Sequence, residues 1–315
     1  MSGIPVVLDM DPGVDDALAL MMALNSPELE VLAVCTVSGN VPIGVATNNG
    51  ISILGMLGRL DIPVYRGSER PLKRESVHAA EVHGPGGLGD TELPIPDVEP
   101  SGSVTEFLGK ILSERPGEVT VIAVGPLTNL ARAESKRRGI LQKAKQLVVM
   151  GGSIREPGNV SPTAEFNFYA DPDAARAVVR SGVELTLVPL DATHQVQIGR
   201  SELDRWVDGK DFAEAHFVRG SMEPALAYTD RIYGKASFCL HDPMAVGCVL
   251  RPSIFQTTRT SIDVEVEGEL ANGQVVADLR PFVDDRHRKG VSINWVTDVD
   301  VDAFKTMFKD RILPE

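Results

Sequence analysis

Four aspartates crowd one short stretch near the N-terminus: Asp9, Asp11, Asp15 and Asp16. Carboxylates this close raise one another's pKa and cost stability unless a cation answers them. No Lys or Arg lies between Met1 and Gly58, so the answer is not local in the sequence. A hard, oxygen-seeking divalent ion, Ca2+ or Mg2+, is the natural counter-charge. One or two aspartates at a helix start need no such partner, because they pair with the positive end of the helix dipole. Four ask for more.

The elements that must hold these groups follow from the pattern around them. Ile4 to Leu8 reads as a short apolar strand that runs into a helix from about Val14. A strand end meeting a helix start is where open α/β sheets place a ligand crevice. Asp11 is expected to cap the helix, with Pro12 at its first position, where a missing N–H costs nothing. Residues 30–37 form a nearly continuous apolar run, the mark of a strand buried on both faces, and Ser38-Gly39-Asn40 follows it. Further strands at 119–124, 146–150 and 184–190 end in Val124-Gly125, Gly151-Gly152 and Asp191. This repeat predicts an α/β fold: an open, mostly parallel, Rossmann-like sheet with helices on both faces. Short strands over 262–296 suggest a small antiparallel edge, and Asp300–Arg311 a closing helix.

Other segments add candidates. Residues 66–100 have no period and form a long loop of the kind that is usually functional or mobile. Gly84 to Gly89 within it matches GxGxxG by letter, but no strand precedes it and no helix clearly follows, so a dinucleotide site is rejected. His83 is either a loop histidine or a substrate contact. Asp171-Pro172 should cap a helix, and His241-Asp242-Pro243 repeats the same idiom before an apolar helix. Residues 200–235 read as a helical insertion whose Trp206, Phe217, Tyr228 and Tyr233 serve either the core or an aromatic lid. No linker or repeat divides the chain, so 1–315 is expected to be one domain.

Composition bounds the partners. With a formal net charge of −13, the chain is poorly suited to DNA, RNA or an anionic membrane surface, and better suited to a neutral or metal-bridged small molecule. No apolar run approaches a membrane span, and the first strand leaves no room for a signal peptide. Cys35, Cys239 and Cys248 show no paired spacing and read as reduced thiols of a cytoplasmic protein.

With these residues in place, the chain resembles the inosine-uridine preferring nucleoside hydrolases over almost its whole length. The resemblance rests on Asp9-Met-Asp11-Pro-Gly-Val-Asp15-Asp16-Ala, Val37-Ser-Gly-Asn40, His83-Gly with Gly87-Leu-Gly89, Gly125-Pro-Leu-Thr-Asn129, Met150-Gly-Gly152, Glu165-Phe-Asn167 with Asp171-Pro, and His241-Asp242-Pro243. It implies one Ca2+ per subunit, held by Asp11, Asp16, Asp242 and the main-chain carbonyl of Val124. It implies that Asp15, Asn40 and Asn167 bind the ribose hydroxyls, that Asn159, Glu165 and Asn167 line the 5′ side, and that Met150 lies near the sugar. It further implies His241 as the acid for the leaving base, a homodimer or homotetramer, and calcium-dependent cleavage of ribonucleosides to ribose and base.

The residue chemistry agrees with that reading. Breaking a ribose C1′–N bond passes through an oxocarbenium-like centre and needs an activated water, a rigid sugar grip and help for the leaving base. Asp11 suits the general base, and a histidine titrating near neutrality suits the acid at position 241. Tyr228, Tyr233 and Phe238 are the aromatic candidates for the base itself. Two rivals stand beside this reading. A haloacid-dehalogenase-like, Mg2+-dependent phosphatase would use Asp9-Met-Asp11, although Pro12 and the missing downstream lysine with an acidic pair argue against it. A non-catalytic nucleoside binder is the other, and the intact Asp11, Asp16, Asp242 and His241 argue against that.

Overall fold

The computed structural model describes residues 3–314, apart from the side chains of residues 233 and 285. Eleven strands are found among them: β1 (Ile4–Met10), β2 (Leu29–Thr36), β3 (Val64–Arg66), β4 (Thr120–Ala123), β5 (Gln146–Met150), β6 (Leu185–Val188), β7 (Gln197–Gly199), β8 (Ser237–Cys239), β9 (Phe255–Val264), β10 (Val275–Ala277) and β11 (Val291–Val299). Nine of them form one sheet in the order β10-β9-β11-β6-β5-β4-β1-β2-β3. From β6 to β3 every pairing is parallel. The antiparallel edge is β9 with β10 and β11, and β11 joins the parallel part through β6. A separate two-stranded pair, β7 with β8, is antiparallel.

Alternation along the strands explains the two-sided core. Val6, Leu8 and Met10 bury into one apolar layer, with helices Val14–Leu24, His241–Leu250 and Val301–Ile312. Val7 faces the other, with helices Val104–Glu114, Thr128–Lys136 and Pro172–Val179. Both faces are thus covered, as a parallel sheet requires.

Several local expectations shift. Helix Val14–Leu24 is preceded by Gly13 at the cap, and the capping carboxylate is that of Asp16, which accepts the N–H groups of Gly13 (3.0 Å) and Asp11 (2.9 Å). Asp11 does not cap, because its own side chain is drawn to the Asn40 N–H instead. Asp242 does not cap either: it lies inside helix His241–Leu250, behind Leu240. Asp171 does cap, accepting from the Ala174 N–H with Pro172 at the first position. The strand expected to reach residue 190 stops at Val188, where Pro189 introduces a one-turn helix, Leu190–Thr193. Asp191, on that turn, accepts the N–H groups of Ile154 and Arg155 (both 2.8 Å) and so ties down the loop after β5.

The segment expected as a helical insertion is two helices, Arg200–Val207 and Ala213–Tyr233. Its aromatics divide. Phe217 is buried and Trp206 packs against Phe308, so both are core. Tyr228 reaches the cavity described next, while the side chain of Tyr233 lies outside the described residues.

Candidate active site

A cavity of about 760 Å³ opens at the C-terminal ends of the parallel strands. Asp15 and Asp242 line its floor. Carboxylate oxygens of Asp15, Asp16 and Asp242 all lie within 4.8 Å of one another. Asp11 is fully buried beside Asp16. Its Oδ2 accepts the Asn40 N–H at 2.6 Å, while its Oδ1 is buried with no partner. Asp15 Oδ1 is likewise buried and unpartnered.

Glycines make this approach possible. A Cβ on Gly39 would collide with the Asp11 carboxylate, and one on Gly125 would stand 2.5 Å from its Oδ1. The aspartate therefore sits between two turns that have no room for side chains.

The electrostatics describe a cluster of mutually repelling, buried carboxylates. Burial pushes Asp11 and Asp242 well above the usual carboxylate range, and the neighbouring aspartates push them further. Asp15 is raised to about 6 by burial, and Asp16 to about 6 by burial and then by Asp15. Orphaned oxygens and mutual repulsion in one dry cluster fit a bound divalent cation. Val124 fits too. Its carbonyl accepts one bond, from Asn167 Nδ2 at 2.8 Å, and a carbonyl has a second lone pair. One difference from the sequence reading stands out: the tight trio contains Asp15, while Asp11 adjoins it through Asp16.

The remaining polar groups are fixed by backbone. Asn40 Nδ2 donates to Asp16 Oδ2 at 3.0 Å. Glu165 caps the short helix Phe166–Ala170, accepting from the N–H groups of Gly152 (2.8 Å), Asn167 (2.8 Å) and Phe168 (3.2 Å). Even so, burial raises its pKa to about 7. Asn167 also contacts the carbonyl and the sulfur of Met150. Asn159 lines the mouth and is exposed.

Both histidines reach the cavity. His83 is not a free loop histidine: its Nδ1 accepts the Val14 N–H at 3.1 Å, and burial pulls its pKa down to about 4. The glycine run after it is also explained. Asn49 Nδ2 bonds the carbonyls of both Pro12 (2.9 Å) and Gly86 (2.8 Å), which pins this loop to the β1 turn. His241 Nδ1 lies 2.8 Å from Thr193 Oγ1. Burial, then His194 and His83, take its pKa down to about 3. The expectation of a side chain titrating near neutrality is thereby corrected: the dry wall keeps this imidazole neutral.

Sequence reasoning missed Thr193 and His194. The His194 ring stands edge-on to His241 at 5.8 Å and also lines the cavity. The available signal was their place just past β6, at the same rim as the other site residues. Of the phosphatase pair, Asp9 does not line the cavity. Its carboxylate meets Asn129 instead, and burial lifts its pKa to about 8.

Set beside known proteins, this geometry has clear counterparts. Residues 6–306 match the inosine-uridine preferring nucleoside hydrolase family. The pyrimidine-specific ribonucleoside hydrolase RihA of Salmonella typhimurium is 36% identical over 313 residues, spanning 98% of each chain. A plant nucleoside hydrolase superposes with a TM-score of 0.92 at 31% identity, covering 99% of both chains. A purine-preferring ribonucleoside hydrolase from Gardnerella vaginalis does so with a TM-score of 0.89 at 29% identity, covering 98% of both. The chain belongs to the nucleoside hydrolase family. Nothing in these relatives supports the phosphatase alternative.

Proposed function

We propose that this protein hydrolyses the N-glycosidic bond of ribonucleosides, giving ribose and free base, with one calcium ion bound per subunit. The observation that carries the reading is the floor of the cavity: four buried carboxylates, two with orphaned oxygens, below a pocket large enough for a nucleoside. Asp11, Asp16, Asp242 and the Val124 carbonyl would hold the ion, with Asp15 close enough to share it. When bound, a divalent cation supplies Lewis acidity toward water and neutralises the carboxylates.

The chain's own groups do the rest. Asp11, with Oδ2 tied to Asn40, offers Oδ1 as the base that takes a proton from the attacking water. Asp15, Asn40 and Asn167 orient the ribose hydroxyls, and Asn159 and Glu165 line the 5′ side. Met150 and His83 pack about the sugar. Attack comes from the face opposite the leaving base, so the configuration at C1′ inverts. With Nδ1 accepting from the Thr193 hydroxyl, the neutral His241 ring would carry its hydrogen on Nε2 and offer it to the departing base as a hydrogen bond. Tyr228 and Phe238 line the wall on that side. We assign residues 1–315 to one catalytic domain that works in the cytoplasm as a homodimer or homotetramer.

The test is a panel of inosine, adenosine, guanosine, uridine and cytidine, assayed for reducing sugar in calcium and again in chelator. Ribose release that needs calcium is expected. No ribose from any of the five in calcium would remove the proposal.

A further inference from the structure

Asn129 does not line the catalytic cavity, yet it is almost completely buried and every polar atom of its amide is used. Nδ2 donates to the Thr36 carbonyl (3.0 Å) and to Asp9 Oδ1 (3.3 Å), and Oδ1 accepts the Ser68 N–H (2.8 Å). One side chain thereby joins the ends of β1 and β2 to the segment after β3.

From Ser68 a series of bonds leads to the floor of the cavity. The Ser68 carbonyl accepts the Ser38 N–H at 3.0 Å. Ser38 opens the turn that ends in Asn40, whose N–H holds Asp11 Oδ2 at 2.6 Å and whose Nδ2 holds Asp16 Oδ2 at 3.0 Å. Neither turn along this route has slack. A Cβ on Gly67 would collide with the Thr36 carbonyl and the Asn129 amide, and one on Gly39 would collide with the Asp11 carboxylate. Movement of Asn129 is therefore passed to Asp11 rather than absorbed between them.

We infer that Asn129 is a positioning residue: acting through Ser68, Ser38 and Asn40, it fixes Asp11 with Oδ2 tied down and Oδ1 turned to the reaction. The inference rests on the role proposed for Asp11. A purely architectural Asn129 would affect melting and nothing else. A positioning Asn129 also affects calcium binding and turnover; of the ribose contacts it reaches only Asn40, and those of Asn167 and Asp15 stay in place.

The experiment uses the full chain with Asn129→Ala, measuring Tm, calcium Kd by titration calorimetry, and kcat and KM for inosine and uridine. We expect calcium Kd to rise about tenfold and kcat to fall at least about tenfold, with KM within about threefold of the parent value. Asn129→Asp keeps the volume and the Ser68 acceptor while losing the donors, and it serves where the alanine variant does not fold. The same split is expected of it. In an Asp11→Asn background, Asn129→Ala should lower kcat by less than about twofold more, because the two act on one step. A folded variant with lower Tm but unchanged calcium Kd and kcat overturns the inference, as do fully additive losses in the double variant. Failure of the underlying function looks different, because the unsubstituted protein would then release no ribose at all.

Discussion

The two ends of the catalytic cavity are built on different principles. At the inner end, Asp11, Asp16, Glu165 and Asn40 are buried, and each is bonded to backbone at the strand ends. At the outer end, Asn159, Val160 and Lys235 are exposed, and Tyr228 leans against Arg231 at 5.6 Å rather than against a strand. Groups held by main chain cannot move without moving the sheet, whereas groups on helix and loop surfaces can be exchanged at little cost. On the proposed reading, the family's common chemistry belongs to the first end and the choice of base to the second. This is consistent with relatives of one fold that are described as pyrimidine-specific in one case and purine-preferring in another.

If that division is right, the inner end should give the largest effects. Asp11→Asn should cut kcat by about 10²- to 10⁴-fold, the usual range for a positioned base, with a milder change in KM. Near-normal turnover would break the assignment. 2′-Deoxyribonucleosides should lose up to about 10⁴-fold in kcat/KM, because a site built around a hydroxyl is left with unpaired buried groups when it is missing. Comparable rates for the two sugars would show that the inner end does not read the diol.

His241→Ala lies between the two ends and sharpens the boundary. It should slow inosine by about 10²-fold while sparing p-nitrophenyl riboside, whose leaving group needs no proton. Equal losses on both would make His241 part of the sugar grip. At the outer end, Tyr228→Ala should raise KM only about threefold to tenfold, in keeping with the loss of one aromatic contact, and leave kcat nearly unchanged.

A thermal measurement tests the inner end without substrate. Unfolded carboxylates ionise near pH 4. In the fold Asp15 and Asp16 are raised to about 6, Glu165 to about 7 and Asp9 to about 8. Between those limits these carboxylates keep protons that the unfolded chain has lost; buried His83 and His241 act the other way below the ordinary histidine range, so the fall in stability is steepest above about pH 6.5. In chelator, Tm should drop from about pH 5 to about pH 8, and added calcium should restore more of it at the upper end. A flat profile in chelator would contradict the crowding of charge described here.

Much of this was legible in the sequence, for identifiable reasons. The βα rhythm and the four early aspartates are local patterns, and local patterns survive without coordinates. Asp11 and Asp242 were misread as caps because Asp-Pro before a helix ordinarily means that, and only the folded turn shows Asn40 drawing the Asp11 carboxylate aside. The charge state of His241 was out of reach, since it depends on burial and on His194 and His83, which lie far away in the chain. Asp9 looked like its neighbour Asp11, and a period of two would put both on one face; β1 ends at Met10, so Asp11 belongs to the turn while Asp9 stays on the strand and meets Asn129.

Glu165 carries a wider consequence. Its carboxylate is caged by three main-chain N–H groups and cannot swing away to make space for another anion. A nucleotide would have to press its phosphate against this wall, above a floor already crowded with aspartates. On the reading that places Glu165 at the 5′ side of the sugar, nucleotides are expected to be refused where their dephosphorylated nucleosides are accepted.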